Sequence, residues 1–146
     1  MSLKSIYIIS CIIILSACAN VMAPTGGPKD IEPPYILKVI PNDTIGFNSK
    51  YLQFNFNEYF VLNDVNKNFI ISPIINQNPI YKIKNKSLII IFSDSSLLDS
   101  VTYTLKPGIS ILDNNERNSF DKNYFYRFTK SKTLDNFYLR GSVIDN

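Results

Sequence analysis

Tyr51-Leu52-Gln53-Phe54-Asn55-Phe56 alternates without a break. Leu52, Phe54 and Phe56 fall on one side, and Gln53, Asn55 and the following Asn57 on the other. Successive side chains of a strand point to opposite faces, so this period of two predicts a strand with one apolar and one wet face. A helix would set its apolar residues at intervals of three and four in turn, not at every second position.

The same period recurs on either side. Ile36-Leu37-Lys38-Val39-Ile40 reads as a short first strand, stopped by Pro41-Asn42-Asp43. Phe69-Ile70-Ile71-Ser72 reads as a third, ended by Pro73, after a polar break through Asn63-Asp64 and Asn66-Lys67-Asn68. Ile80 to Lys84 and Ser87 to Phe92 flank Asn85-Lys86 and predict a hairpin, because Asn tolerates the left-handed backbone of a tight turn. Leu88 to Phe92 has no polar member, so a central strand covered on both faces is expected there, with Lys84, Lys86 and Asp94 as charged flanks against aggregation. Val101 to Leu105 alternates again and ends at Pro107-Gly108. Ile109 to Asn118 is rich in turn formers, and Tyr124 to Thr129 is the last strand. About seven short strands and no helical window beyond the N-terminal run predict an all-β, antiparallel β-sandwich. Leu52, Phe54, Phe56, Tyr103, Leu105, Tyr126 and Phe128 are its expected core.

The N-terminus is different in kind. Lys4 precedes Ile6-Tyr7-Ile8-Ile9-Ser10-Cys11-Ile12-Ile13-Ile14-Leu15, about ten apolar residues. That is the length of a signal-peptide core and well short of the ~20 residues a spanning helix needs. Leu15-Ser16-Ala17-Cys18 closes it and resembles a bacterial lipobox. The resemblance implies lipidation of the Cys18 thiol and cleavage before it, so that residues 1–17 are a signal peptide and acylated Cys18 is the contact with membrane lipid. Residues 18–34 then form an extended tether, since Pro24, Gly26, Gly27, Pro28, Pro33 and Pro34 oppose both helix and ladder. At ~3 Å per residue it reaches tens of ångströms at most. Residues 35–130 hold the sandwich, and 131–146 a linker and the opening of a possible further β domain.

Composition narrows the chemistry. Cys11 lies in the signal and Cys18 would be acylated, so no thiol is left for a disulfide or a metal, and the core must hold the domain alone. Hydrophobic residues are 45% of the chain, which is enough material for that. There is no histidine, so the commonest general base and metal ligand is missing. The net charge of +3 comes from scattered lysines, unlike the clustered basic face of a nucleic-acid binder.

Cys18-Ala19-Asn20, then Ala23-Pro24-Thr25-Gly26-Gly27-Pro28-Lys29-Asp30 and Pro33-Pro34, resembles the start of Gram-negative cell-envelope lipoproteins. Those carry an N-terminal bacterial Ig-like domain of the S-layer-protein (SbsA) type. Phe54-Asn55-Phe56-Asn57-Glu58-Tyr59 is similar to that domain's second-strand signature, and Thr102-Tyr103-Thr104-Leu105 and Tyr126-Arg127-Phe128-Thr129 to its last two strands. The resemblance implies an Ig-like sandwich without chemistry of its own. It also implies that Phe137 to Asp145 opens a following sandwich of the carboxypeptidase-regulatory-like kind.

Few residues compete for a chemical role. Glu58 stands just past the alternating strand. It is either half of a carboxylate pair with Asp64 or Asp113 or, as favoured, a strand-end carboxylate accepting backbone N–H groups. Asp113-Asn114-Asn115-Glu116 offers closely spaced oxygens but lacks the register of a calcium loop, so a turn is expected and no metal. Tyr35, Tyr51, Tyr59 and Tyr81 would stack on sugar rings only if exposed together; packing is the expected use. The reading is a lipid-anchored envelope module, expected at the outer membrane, with a structural, spacer or adhesive role, no catalytic residue and no cofactor. An envelope protein or glycan is a conceivable partner. The alternative is the non-catalytic front of a larger envelope enzyme or transport component.

Overall fold

A computed structural model describes residues 26–135. Nine strands occur in them: β1 Ile36–Ile40, β2 Tyr51–Phe56, β3 Phe60–Leu62, β4 Ile70–Ser72, β5 Ile80–Lys84, β6 Ser87–Ile91, β7 Thr102–Lys106, β8 Ile111–Asp113 and β9 Tyr126–Thr129. One helical turn, α1 (Val65–Asn68), precedes β4, and a 3-10 turn (Gly108–Ser110) precedes β8. All pairings are antiparallel, in a four-stranded sheet β1-β2-β6-β5, a three-stranded sheet β4-β7-β9 and a ribbon β3-β8.

The alternation of β2 is realised as expected. Leu52, Phe54 and Phe56 are buried, and Tyr51, Gln53 and Asn55 lie on the outer face. Tyr103 and Leu105 of β7 and Tyr126 and Phe128 of β9 meet them from the opposite sheet, so all seven expected core residues are buried. The contacts are aromatic: Phe54 meets Tyr126 edge-on at 5.6 Å, and Phe128 touches Phe47, Phe92 and Tyr103. Offset and edge-to-face rings suit their quadrupoles and fill a core without a staple.

Three expectations change. The strand count rises from seven to nine, because β3 and β8 are three residues each and too short to display a period. The third strand opens at Ile70 and the last at Tyr126, with Phe69 and Tyr124 packed just before them. And β6, though central between β2 and β5, is covered on one face only. Leu88, Ile90 and the following Phe92 are in the core, whereas Ile89 and Ile91 are half-buried on the outside. The unbroken apolar run thus supplies both a core row and an outer apolar row. Register places Tyr51, Ile91 and Ile80 side by side on that outer face.

The hairpin turn is as expected. Lys84 pairs Ser87, and Asn85 takes φ 53°. Gly108 is also left-handed at φ 54°, and a Cβ there would meet the Asn68 carbonyl oxygen at 2.9 Å. That position brings the 3-10 turn against the end of α1, so glycine is required twice over.

The chain enters and leaves at opposite ends. At one end Tyr35 N–H donates to Asn57 Oδ1 (2.7 Å), beside the β5–β6 turn, where Phe56 N–H donates to the Lys86 carbonyl (2.8 Å). At the other, the Ser131 carbonyl accepts from Gly46 N–H (2.8 Å), past the end of β9. Thr44 and Phe47 also bond Thr129, so this loop covers the free edge of β9.

Candidate functional site

The acidic candidates gather where the chain enters. Asp113 ends β8 and is buried, 2% exposed. Its Oδ1 accepts from Asn115 N–H at 3.0 Å and its Oδ2 from Glu116 N–H at 2.8 Å. Both oxygens are therefore spent closing their own turn. Asn114 Nδ2 donates to Asn115 Oδ1 (3.2 Å), and Glu116 faces Lys29 at 3.6 Å. The four residues serve three separate tasks. Among the described residues no three His, Cys, Asp or Glu side chains converge as metal ligands do.

Glu58 does not play the part favoured for it. Its Oε1 accepts from a side chain, Asn57 Nδ2 at 3.3 Å. The carboxylate that takes up backbone N–H groups is Asp113 instead. Partial burial pushes the Glu58 carboxyl above its ordinary 4.5; the Asn57 hydrogen bond opposes this, the charges of Asp113 and Asp30 add to it, and Lys86 opposes it. Of the two partners considered for Glu58, the fold brings Asp113 near. Asp64 lies at the start of α1, 4.0 Å from Lys67. Asp113 is buried and each of its oxygens already accepts a backbone N–H, so it is held as a turn-closing group and not as the open half of a carboxylate pair.

Of the four tyrosines, Tyr35, Tyr51 and Tyr59 are exposed, against the packing expected of them, and among the described residues no ring contact joins them. Tyr59 lies under Lys86 Nζ, 5.5 Å from its ring centre, Tyr51 is on the outer face of β2, and Tyr81 packs on Phe69 at 5.1 Å. Burial pushes the Tyr81 hydroxyl up to about 12.

Asn118 and Asn57 carry a role that no motif announces. Asn118 Nδ2 donates to the carbonyls of Asp30 (3.0 Å) and Glu32 (3.2 Å), and with Lys29–Glu116 and Tyr35–Asn57 it holds the tether's last residues against the domain. The Asn118 contacts join residues more than eighty positions apart, and Tyr35–Asn57 residues 22 apart. A local reading has no access to them. Leu15, Ser16, Ala17 and Cys18, and the stretch from Phe137 to Asp145, lie outside the described residues. No helix among the described residues is long and apolar enough to cross a membrane.

No curated protein and no solved structure matches the chain. The family model for the bacterial Ig-like domain (Big_5) matches residues 30–130. That span contains every strand and the whole aromatic core, and the chain belongs to the bacterial Ig-like domain family.

Proposed function

We propose that the chain is a lipid-anchored spacer and binding module of the bacterial cell envelope, held through acylated Cys18 and without catalysis of its own. Domains of this family are generally non-catalytic structural or binding modules, typically extracellular or at the cell surface. The observation that carries the spacer role is the entry of the chain beside Asn57 and its exit beside Gly46, at opposite ends of the sandwich. A domain threaded in this way adds its own length between an anchor on one side and whatever follows on the other. The clamp by Asn118 and Glu116 on the tether supports the same role, since it shortens the free linker. The lipobox resemblance at Leu15-Ser16-Ala17-Cys18 supports the anchor, and the Thr25-Gly26-Gly27-Pro28 segment supports kinship with envelope lipoproteins of the S-layer-domain kind.

A single acyl chain binds only marginally, at ~0.8 kcal/mol per buried methylene, whereas two or more anchor firmly. Cys18→Ser should therefore release the protein from the membrane fraction or leave the signal uncleaved. Mass spectrometry of the wild-type mature N-terminus should show a multiply acylated cysteine. An unmodified N-terminus there would sink the anchor.

A further inference from the structure

We propose that the free edge of β5 is a docking site for an extended acidic polypeptide, which adds to the four-stranded sheet as a fifth strand. The inference is independent of lipidation. It rests on how the two edges of this sheet differ. The β1 edge is irregular, with a register shift between Ile36 and Lys38. The β5 edge is five regular residues, Ile80-Tyr81-Lys82-Ile83-Lys84, paired in perfect register with β6 and with no strand of the described residues paired on its other side. A two-residue hairpin closes on a hydrogen-bonded pair, here Lys84 with Ser87. Alternation then turns the N–H and C=O groups of Tyr81 and Ile83 toward the free side. Among the described residues they find no backbone partner there.

Charge selects the occupant. None of the four strands of this sheet contains an acidic residue. Lys82 and Lys84 stand exposed on its outer face, two residues apart on β5, and no ion pair among the described residues engages them or Lys38. A second copy of the chain is a poor match. The antiparallel register that pairs all five residues sets Lys82 against Lys82, and a slide toward the hairpin sets Lys82 against Lys84. Like charges directly opposite destabilise a sheet. An acidic strand inverts both terms.

The inner side of the added strand also has a place to go. A groove of about 280 Å³ lies between the β4 and β5 edges, lined by Phe69, Ile70, Ile71, Ile74 and Tyr81 among others. Ile74 is 93% exposed and Ile83 44%. Directly opposite residues share a face. The partner's residues opposite Lys82 and Lys84 are therefore acidic, and those opposite Tyr81 and Ile83, on the inner face, apolar. Main-chain bonds supply the affinity and the alternate side chains the choice of sequence.

The test uses the full chain and a fluorescent seven-residue peptide alternating glutamate with valine. The same peptide with lysine for glutamate is the control. The acidic peptide should bind and the lysine peptide should not, with amide NMR changes concentrated at Tyr81 and Ile83. Lys82→Glu with Lys84→Glu should weaken the acidic peptide by about tenfold or more and make the lysine peptide the better ligand. Lys106→Glu, on the other sheet, should change neither. No binding of the acidic peptide would reduce the lysines to guards of the edge and overturn the proposal. So would equal binding of both peptides, NMR changes centred on Tyr51 and Ile91, or capture by anionic phospholipid vesicles without peptide binding. The wild-type comparison of the two peptides decides the matter even if the double variant fails to fold.

Discussion

The four-stranded sheet and the β3-β8 ribbon are held together by different chemistry. The sheet rests on apolar area: Leu52, Phe54, Phe56, Leu88 and Ile90 face inward and are at most 2% exposed. The ribbon is three residues long on each side, and its turn is closed by one carboxylate, Asp113, on two backbone N–H groups. The ribbon also reaches the core, through Phe60 (4% exposed) and Ile111 (0%), so the lesson is that a short element adds polar satisfaction of its turn to burial, where a long one rests on burial. The distinction can be broken by substitution, beginning with the sheet.

Phe54→Ala should have the largest effect, on the order of 3–5 kcal/mol, because removal of a buried ring loses its transfer energy and leaves a cavity. That is much of the stability of a domain of this size. Gln53→Ala, one residue away, should cost little. Gln53 bonds only Asn55 and Ser87 on the outer face. Urea denaturation of the two variants checks the contrast, and equal losses would mean that β2 is not one-sided.

Asp113→Ala comes next, at about 2–3 kcal/mol, since it strands two backbone donors in a buried turn. Asp113→Asn, which keeps one acceptor oxygen, should recover part of the loss. Calcium and a chelator should give the same melting temperature, because neither carboxylate oxygen is available to an ion. A site filled at a hundred times its dissociation constant would add ~2.7 kcal/mol, a shift that calorimetry would not miss.

The same difference in chemistry decides what could be read in advance. Strands β2 and β7 carry their face assignment in five or six alternating residues, so their period and core face are legible. The three residues Phe60-Val61-Leu62 and Ile111-Leu112-Asp113 show no period, and Asp113 looks like any turn carboxylate until its N–H partners are in place. Glu58 is misassigned for that reason: it and Asp113 both follow or end an apolar strand, and only the path of the next loop decides which carboxylate takes the backbone N–H groups. The outer face of β6 was misjudged because an all-apolar run does not say which side is covered. The lysines read as scattered along the chain because only strand pairing sets Lys38, Lys82 and Lys84 on one outer face. The anchor at Cys18 remains a matter of the N-terminal residues alone.

Two tyrosines sharpen the comparison inside the core. Tyr103 on β7 and Tyr126 on β9 are near neighbours on one face, both reached by Phe128. The Tyr103 hydroxyl accepts from Leu98 N–H at 3.0 Å, whereas the buried Tyr126 hydroxyl has no partner among the described residues. Tyr103→Phe should therefore cost about 1 kcal/mol or somewhat more, as a donor loses its acceptor. Tyr126→Phe should be neutral or raise the melting temperature. The reverse order would show that the Tyr126 hydroxyl is satisfied and the Leu98 bond is idle.

The smallest effect belongs to Glu58, and it depends on pH. Its carboxyl titrates above 4.5 in the folded state, chiefly through partial burial and then through the charges of Asp113 and Asp30. A carboxyl raised in this way is bound by a proton more tightly in the folded chain than in the unfolded one. Its contribution is fully present below the unfolded value and is lost as pH rises through the folded one, so at neutral pH the ionised group is a penalty. Glu58→Gln removes the charge and keeps the acceptor oxygen for Asn57. The variant should melt slightly higher than the wild type at pH 7, and the difference should vanish below pH 4. Lys86→Ala should move the other way at pH 7, because Lys86 is the cation that eases Glu58, and its ammonium also bonds the Asn57 carbonyl at 2.8 Å. A Glu58→Gln gain of equal size at pH 3 and pH 7 would assign the effect to packing at the ribbon rather than to charge.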